Sequence, residues 1–359
     1  MSDSPEKKRV RSEEIRRFIL QELNKHPRDI VAHTVGRFGI SRQAVNRHMQ
    51  GLIKEGSVEA QGSGRGRAYT LKVLRGDSFS LDTEGLQEDR VWMERVEPLL
   101  SNLPENVRSI CNHGFTEMLN NAIDHSGSRD VHILVIVTAM KVLIEVTDHG
   151  MGIFRKLMAY FHLDDERQAM LELSKGRLTT DPARHSGEGI FFTSKMFDKF
   201  IIVSGHFSYF VNRRGGETLF EEAKDGPPGT SVVMIVDPAS PRTTKEVFDA
   251  YAPEENDWTF SRTVVPIYLA RYEGSDLISR SQAKRIMARV EQFKSVVLDF
   301  EQVEMVGQAF SDEIFRVWQN SHPDVEMMCA NANAQVLGMV NRARQAAGLP
   351  IMESIDLDH

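Results

Sequence analysis

The stretch from Phe115 to Gly127, FTEMLNNAIDHSG, constrains the fold of this 359-residue chain more than any other. Glu117, Asn121 and Asp124 stand at i, i+4 and i+7, so a helix presents these three polar side chains on one face. The other sides of that helix are apolar, with Met118, Leu119, Ala122 and Ile123. Because two carboxylates and an amide along a buried helix are costly without a polar ligand, the stretch predicts a binding site.

Length and composition limit the class of protein. A chain of 359 residues exceeds what one compact core supports, so we expect two or three domains. No apolar run reaches the roughly 18 residues of a membrane span, and the N-terminus lacks the apolar segment of a secretory signal. Cys111 and Cys329 have no metal-like spacing. These features predict a cytoplasmic protein with no membrane contact, no structural zinc and two buried thiols.

The net charge of −7 is unevenly distributed along the chain. Residues 1–75 hold 16 Lys and Arg against 8 Asp and Glu, so this part carries about +8 and the remainder about −15. A basic segment joined to an acidic remainder is typical of a nucleic-acid-binding module on a soluble body.

The first 75 residues predict three short helices followed by a hairpin. Apolar residues recur at helical spacing over residues 12–25, a second helix begins near Asp29, and Ser41 is a suitable N-cap for a third. This order resembles a winged helix-turn-helix, which implies that the third helix enters the major groove of double-stranded DNA while the turn GSGRGR contacts the backbone or minor groove. The resemblance assigns Arg42, Gln43, Asn46, Arg47, Arg65 and Arg67 to DNA. A protein-interaction module of the same shape is the alternative.

The middle of the chain alternates between helical patterns and β-branched runs. Residues 76–88 lack periodicity and are interpreted as a linker, and a helix is expected over 89–101. Val131–Val137 and Val142–Val146 predict a hairpin, and later apolar runs predict strands up to Ser231–Val236.

Four sequence boxes follow one another in order across residues 85–238. They are Glu-x-x-x-Asn-x-x-Asp, Asp-x-Gly-x-Gly after a strand, a Gly-x-Gly helix start, and Gly-Thr before a strand. This order resembles the GHKL ATP-binding fold, the group of gyrase B, the heat-shock chaperone, histidine kinases and mismatch-repair ATPases. The resemblance implies an α/β sandwich that binds ATP together with Mg²⁺.

The resemblance also implies a role for each polar residue in these boxes. Asn121 would ligate magnesium, Glu117 would be the general base, and Asp124 would take a supporting position on the ribose side. Asp148 would accept a hydrogen bond from the adenine amine. The glycines and the threonine assigned to the nucleotide are Gly150, Gly152 and Thr230 with Gly229 near the base, and Gly187 with Gly189 at the phosphates.

Residues 162–186 are expected to form a mobile lid over the phosphates, with candidate contacts from Lys175, Arg177, Arg184 and His185. The run ARHSGEGIFFTSKMFD is similar to the same segment of anti-sigma-factor serine kinases. In those kinases an arginine commonly stands where this chain has His185, and this departure disfavours phosphoryl transfer. His113 and His125 are expected in core or supporting positions rather than as phosphoacceptors.

The C-terminal part, residues 261–359, predicts alternating strands and helices. The run VVLDFEQVEMVGQAFSDEIF resembles the STAS-like fold of anti-sigma-factor antagonists. Phosphorylatable relatives carry an Asp-Ser pair where this chain has Gly307-Gln308, and Ser311 is the nearest hydroxyl. The resemblance implies a protein partner on this domain.

Together these patterns predict a multidomain α+β protein. The expected parts are a winged helix over residues 1–75, a GHKL α/β sandwich over 85–238 and a small STAS-like α/β domain over 261–359. The predicted function is a DNA-binding transcriptional regulator switched by Mg-ATP, with or without hydrolysis. The alternative is an anti-sigma-type serine/threonine protein kinase that acts on a partner. A homodimer would suit a winged helix that reads two half-sites.

Overall fold

The N-terminal unit consists of three helices packed against a two-stranded antiparallel sheet. The computed structural model describes residues 5–181, 186–213, 216–221, 226, 228–252, 260–271 and 276–357, and only the backbone of residues 5–8 and 65. The elements of this unit are α1 (Pro5–Glu22), α2 (Ile30–Phe38), α3 (Arg42–Lys54), β1 (Val58–Gln61) and β2 (Ala68–Leu71). Ser41 caps α3, because its hydroxyl accepts a hydrogen bond from the backbone NH of Ala44 at 3.2 Å. The expected order of helices and hairpin is present.

The middle of the chain forms a seven-stranded sheet in which every neighbouring pair is antiparallel. Its strands are β3 (Arg75–Asp82), β4 (Asp130–Val137), β5 (Val142–Asp148), β6 (Lys199–Ser204), β7 (Phe207–Asn212), β8 (Gly216–Glu221) and β9 (Thr230–Val236), and they lie in the order β3-β4-β5-β9-β6-β7-β8. The hairpin expected from the two β-branched runs is β4–β5.

Residues 76–88 are not the linker that the sequence predicted, because most of β3 lies in this range. Strand β3 is an edge strand whose exposed face carries Gly76, Ser78 and Ser80, so only Phe79 and Leu81 on the other face signal a strand. An edge strand with one polar face has too few apolar residues for periodicity to reveal it.

Helices cover one face of this sheet. They are α4 (Glu88–Val91), which continues through a π turn (Trp92–Val96) into α5 (Glu97–Leu100), then α6 (Glu105–His125), α7 (Ile153–Phe161), α8 (Glu166–Lys175), α9 (Gly189–Met196) and α10 (Thr244–Tyr251). Helix α6 carries the opening stretch and buries Phe115, Met118 and Leu119. It crosses close to the residues after α9 at Gly114, where a Cβ atom would lie 2.4 Å from the ring of Phe197. Among the described residues, no helix is both long and apolar enough to cross a membrane.

The C-terminal part contains a four-stranded parallel sheet, β10 (Arg262–Pro266), β11 (Ser295–Asp299), β12 (Glu326–Ala330) and β13 (Ser354–Ile355), in that order. Parallel neighbours need crossover connections. The crossovers contain α11 (Arg280–Met287), then α12 (Gln308–Asp312) with a π turn (Glu313–Trp318) and α13 (Gln319–Ser321), and finally α14 (Ala334–Ala346). The first strand ends at Pro266, and a 3₁₀ turn (Ile267–Ala270) follows.

The residues that the structure describes form two hydrophobic cores rather than three. Ile15, Ile19 and Leu52 belong to a small core formed by the N-terminal unit alone. The second core is continuous from Val91 to Met352 and joins the seven-stranded sheet to the four-stranded sheet. Phe260 bridges the two sheets, since its ring centroid lies 4.6 Å from that of Phe191 on α9 and 5.2 Å from that of Phe293 before β11.

We expect Phe260→Ala to lower the free energy of unfolding by about 3–5 kcal/mol, because the substitution leaves a cavity in this shared core. Phe220→Ala is the matched control, since Phe220 is 54% exposed and its loss should cost under about 1 kcal/mol. Chemical denaturation followed by circular dichroism measures both. Equal losses for the two variants would contradict a shared core.

Candidate functional site

A cleft of about 260 Å³ opens between α6, the β5–β9 pair and the segment that leads into α9. Four separate parts of the chain contribute residues that the sequence analysis singled out to the wall of this cleft, namely Glu117, Asn121, Asp148, Gly152, Gly187, Gly189 and Thr230. Asp124, Gly150 and Gly229 lie next to these residues in the chain but do not line the cleft. The cleft therefore brings residues of all four sequence boxes together in one place.

Glu117 and Asn121 project into the cleft from successive turns of α6. The carboxylate of Glu117 lies against the first residue of α9, where a Cβ atom on Gly189 would be only 1.9 Å from Glu117 Oε2. Only glycine fits at that position without moving the carboxylate. The backbone NH groups of the first turn of a helix have no partner within the helix, so this end of α9 favours a negatively charged group.

Asp148 lies on the opposite wall, at the last position of β5, and is 7% exposed. Its Oδ1 accepts a hydrogen bond from the backbone NH of Gly150 at 2.8 Å. Burial raises the pKa of Asp148, although hydrogen bonds from the backbone of Gly150 and Thr230 oppose the shift. Thr230 is the cross-strand neighbour of Asp148, and its hydroxyl accepts a hydrogen bond from Ile153 NH at 2.9 Å.

Lys156 is a wall residue that the sequence analysis missed. It lies on α7, and its ammonium group donates a hydrogen bond to the carbonyl oxygen of His125 at 2.6 Å. Burial lowers the pKa of Lys156, while the charges of Asp124 and Asp148 oppose that shift. Lys156 thus brings a cation between the two acidic sides of the cleft. Its spacing from Asp148 along the chain matched none of the motifs, so only the fold could reveal it.

The expectation of a mobile lid over residues 162–186 is wrong for its helical part. Helix α8 is buried from Ala169 to Lys175, because it packs between the cleft and the C-terminal sheet. Leu173 on this helix lines the cleft, as does Leu178 just beyond it. A lid that can open must have few buried contacts, and α8 has many.

Lys175 is not a phosphate contact, since its side chain is 1% exposed and points to the C-terminal unit. Its ammonium group lies 2.6 Å from Glu172 Oε1 and donates to the carbonyl oxygens of Arg285 at 3.2 Å and Ala288 at 2.8 Å. Burial lowers the pKa of Lys175 and raises that of Glu172, and their mutual attraction opposes both shifts. Arg177 also turns away from the cleft, with Nη1 2.9 Å from the carbonyl oxygen of Gln292.

Arg184 and His185 lie outside the residues that the structure describes. The side chain of Arg65 does too. Their expected contacts with phosphate and DNA therefore stay predictions.

The outer face of α3 carries four exposed polar side chains, Arg42, Gln43, Asn46 and Arg47. Its inner face buries Val45, Met49 and Leu52 in the N-terminal core. Arg67, at the start of β2, is half-buried with its guanidinium 5.3 Å from the centre of the Tyr69 ring. The structure thus gathers the four residues of α3 on one surface, and Arg67 packs on the hairpin beside it.

Four other residues that the sequence analysis raised lie wholly or largely in the interior. His113 is largely buried against Phe248, with ring centroids 5.6 Å apart, and burial lowers its pKa. Ser311 is 1% exposed, so it is inaccessible to a kinase in the folded chain. Cys111 and Cys329 are buried thiols, as expected, and burial raises the pKa of each to about 12.

Comparison with known proteins identifies one part of the chain. A family model described as a STAS-like domain of unknown function, DUF4325, matches residues 282–337. The match covers α11, β11, β12 and the start of α14, and it confirms the STAS-like prediction for the C-terminal part. No curated protein matches the chain.

Proposed function

We propose that this protein is a DNA-binding transcriptional regulator whose GHKL-type domain binds Mg-ATP in the cleft beside α6. Binding would change how a winged helix at the N-terminus and the STAS-like domain are held. The observation that carries the proposal is the meeting of Glu117, Asn121, Asp148 and Thr230 on one cleft that is closed by Gly187 and Gly189.

The chemistry of the cleft fits a magnesium nucleotide. The Asn121 amide oxygen is a hard ligand of the kind that Mg²⁺ prefers, and one protein ligand suffices where phosphate oxygens and water complete the shell. The amide groups at the start of α9 and the ammonium group of Lys156 favour an anion in the same space. When bound, Mg²⁺ neutralises charge on the phosphates. Glu117 would hold a water molecule and take its proton.

Asp148 suits recognition of a base that carries an amine. It is held at the end of β5 by the backbone NH of Gly150, so its orientation is fixed before a ligand arrives. A buried carboxylate that accepts a hydrogen bond from an exocyclic amine discriminates against a ligand with an oxygen there, because two acceptors would then face each other and the bond would be lost. This argument favours adenine over bases that present an oxygen at that position.

Helix α8 supports a link between the cleft and the STAS-like domain. Leu173 of α8 lines the cleft. Lys175, two residues later on the same helix, donates hydrogen bonds to the carbonyl groups at the C-terminal end of α11. The backbone carbonyl of Lys175 also accepts a hydrogen bond from Thr263 Oγ1 on β10 at 2.7 Å. A ligand that shifts α8 must therefore strain or relax the contact with the STAS-like domain.

We expect Asn121→Ala to remove the magnesium dependence of ATP binding, so that its affinity with Mg²⁺ falls to that without Mg²⁺. Asn120→Ala is the matched control, because this neighbouring amide does not line the cleft. Isothermal titration calorimetry with and without Mg²⁺ measures the difference. Unchanged Mg-ATP affinity in Asn121→Ala would sink the site assignment.

Glu117→Ala separates ATP binding from ATP hydrolysis. If Glu117 is the general base, this variant keeps ATP bound and loses any hydrolysis, by a factor of about 10²–10⁴. Phosphate release measured beside the wild type decides the point.

Lys175→Met should weaken Mg-ATP binding several-fold, although Lys175 does not touch the cleft. The reason is that Glu172 is left buried with a weaker partner, Arg289 at 3.8 Å, and α8 loses its anchor on α11. Lys245→Met is the matched control, since Lys245 is 74% exposed in an ion pair with Asp249. Circular dichroism confirms that each variant is folded. Wild-type affinity in folded Lys175→Met would refute the link through α8.

Arg42→Ala combined with Arg47→Ala should reduce the affinity for double-stranded DNA. It should also reduce the slope of log K against log salt concentration by up to about two, because two phosphate contacts are lost. Replacing Arg90 and Arg280, which are 69% and 64% exposed on other surfaces, serves as the control. Fluorescence anisotropy over a salt series measures both. If the intact protein binds no DNA at low salt, the N-terminal unit is a protein-interaction module.

A further inference from the structure

A second cavity, of about 510 Å³, opens where the seven-stranded sheet meets the four-stranded sheet. Its walls come from β7 and β8 on one side and from Pro266 and Asp299, the last residues of β10 and β11, on the other. Helices α9 and α10 contribute further residues. Small molecules commonly bind at the carboxyl ends of parallel strands and at domain interfaces, in pockets of about 300–1,000 Å³. The position and the size of this cavity both suit a small ligand.

The cavity is separate from the cleft beside α6, although α9 reaches both. Gly189 and Ile190 at the start of α9 line the cleft, whereas Ser194 and Lys195 near its end line the cavity. No described residue lines both spaces. An inference about the cavity therefore uses none of the residues assigned to nucleotide or DNA and does not rest on the proposed function.

The three carboxylates on the wall of the cavity already have partners. Glu217 Oε1 lies 2.7 Å from Lys195 Nζ, and its other oxygen accepts a hydrogen bond from the hydroxyl of Tyr209. Asp299 and Glu246 each accept a hydrogen bond from a backbone NH at 2.9 Å. These acceptors are therefore engaged within the protein, and a ligand is not needed to pair them.

Two arginines on the same wall retain donors. The Arg242 side chain makes one hydrogen bond to the described residues, to the carbonyl oxygen of Lys195, although a guanidinium has five NH groups. Arg213 Nη1 lies 3.7 Å from Asp198 Oδ1, which is longer than a hydrogen bond. Burial and the nearby charge of Arg213 lower the pKa of Arg242. A negatively charged group beside both arginines would pair their donors and relieve the repulsion between them.

We propose that this cavity binds a small organic carboxylate, with its carboxylate group on Arg213 and Arg242 and its apolar body in the interior. A guanidinium pairs with a planar carboxylate through two parallel hydrogen bonds. The apolar part of the wall, which would hold the body, consists of Phe197, Val211, Val247, Val264 and Pro266. A doubly charged phosphate suits the cavity less well, because the carboxylates on its wall repel two charges more strongly than one.

The test is a fluorescence titration of the full-length protein with anilinonaphthalene sulfonate, an aromatic monoanion, followed by displacement with naphthoate. Ala250→Trp should remove the binding that naphthoate displaces, because Ala250 is an exposed residue of α10 on the cavity wall and an indole there fills the space. Arg242→Gln should weaken naphthoate binding by about 10–100-fold, since a hydrogen bond between two charged groups is lost. Lys245→Gln is the matched control on α10 and should bind as the wild type does, since Lys245 is 74% exposed and outside the cavity.

Two further measurements separate a lost site from a misfolded variant and an organic anion from a simple one. Naphthoate should raise the melting temperature of the wild type and of Lys245→Gln but not of Ala250→Trp, whose circular dichroism spectrum stays native. Inorganic phosphate at the concentration of naphthoate should not displace the dye, because it has no apolar body. The proposal is overturned if the wild type binds no naphthoate, if either cavity variant binds it as the wild type does, or if phosphate displaces the dye equally well.

Discussion

The ammonium group of Lys175 is the contact on which the arrangement of the larger unit depends. It is buried, it pairs with Glu172 on its own helix, and it caps the carbonyl groups at the end of α11. A buried charge without partners is far more costly than the pair, so each of these groups holds the others in position. Because α8 also lines the cleft, one ion pair fixes the cleft wall and the STAS-like domain together.

This constraint changes how a ligand can act on the molecule. A free lid would order over the phosphates at the cost of conformational entropy alone. Here the helix beside the cleft is already packed into a core that extends from Val91 to Met352. A ligand shifts such an element only by the difference between its affinities for the two packings. Under the proposed function, a partner on the STAS-like domain would change ligand affinity in the cleft by the same factor as the ligand changes partner affinity, since coupling between two binding sites is reciprocal.

Much of this arrangement follows from sequence patterns with a clear period. The face of α6, the β4–β5 hairpin and the alternating C-terminal elements were all predicted, because long apolar periods and glycine turns mark them. Strand β3 was not, since its exposed face is polar. The packing of α8 was missed for a different reason. Lys175 was predicted to contact phosphate and Glu172 was assigned no role, because charged side chains are rarely buried. Only the approach of α11 places this pair in the interior. The place of Lys156 in the cleft was not predicted, because it depends on how α7 packs against α6.

Apart from the chain connection, the N-terminal unit is joined to the rest of the molecule only by weak contacts among the described residues. It has its own core, and the ion pair between Arg17 and Asp237 joins α1 to the end of β9. That pair is exposed, with the Arg17 side chain 60% accessible, so it contributes at most about 1 kcal/mol. Under the proposed function, a contact of that size would transmit at most about a fivefold change in DNA affinity. The direct chain connection is the stronger path, because Leu74 NH binds the carbonyl oxygen of Val137 at 2.8 Å and β3 continues along the edge of the sheet. Under the proposed function, a larger effect of the nucleotide on DNA binding would have to pass through the β3 edge.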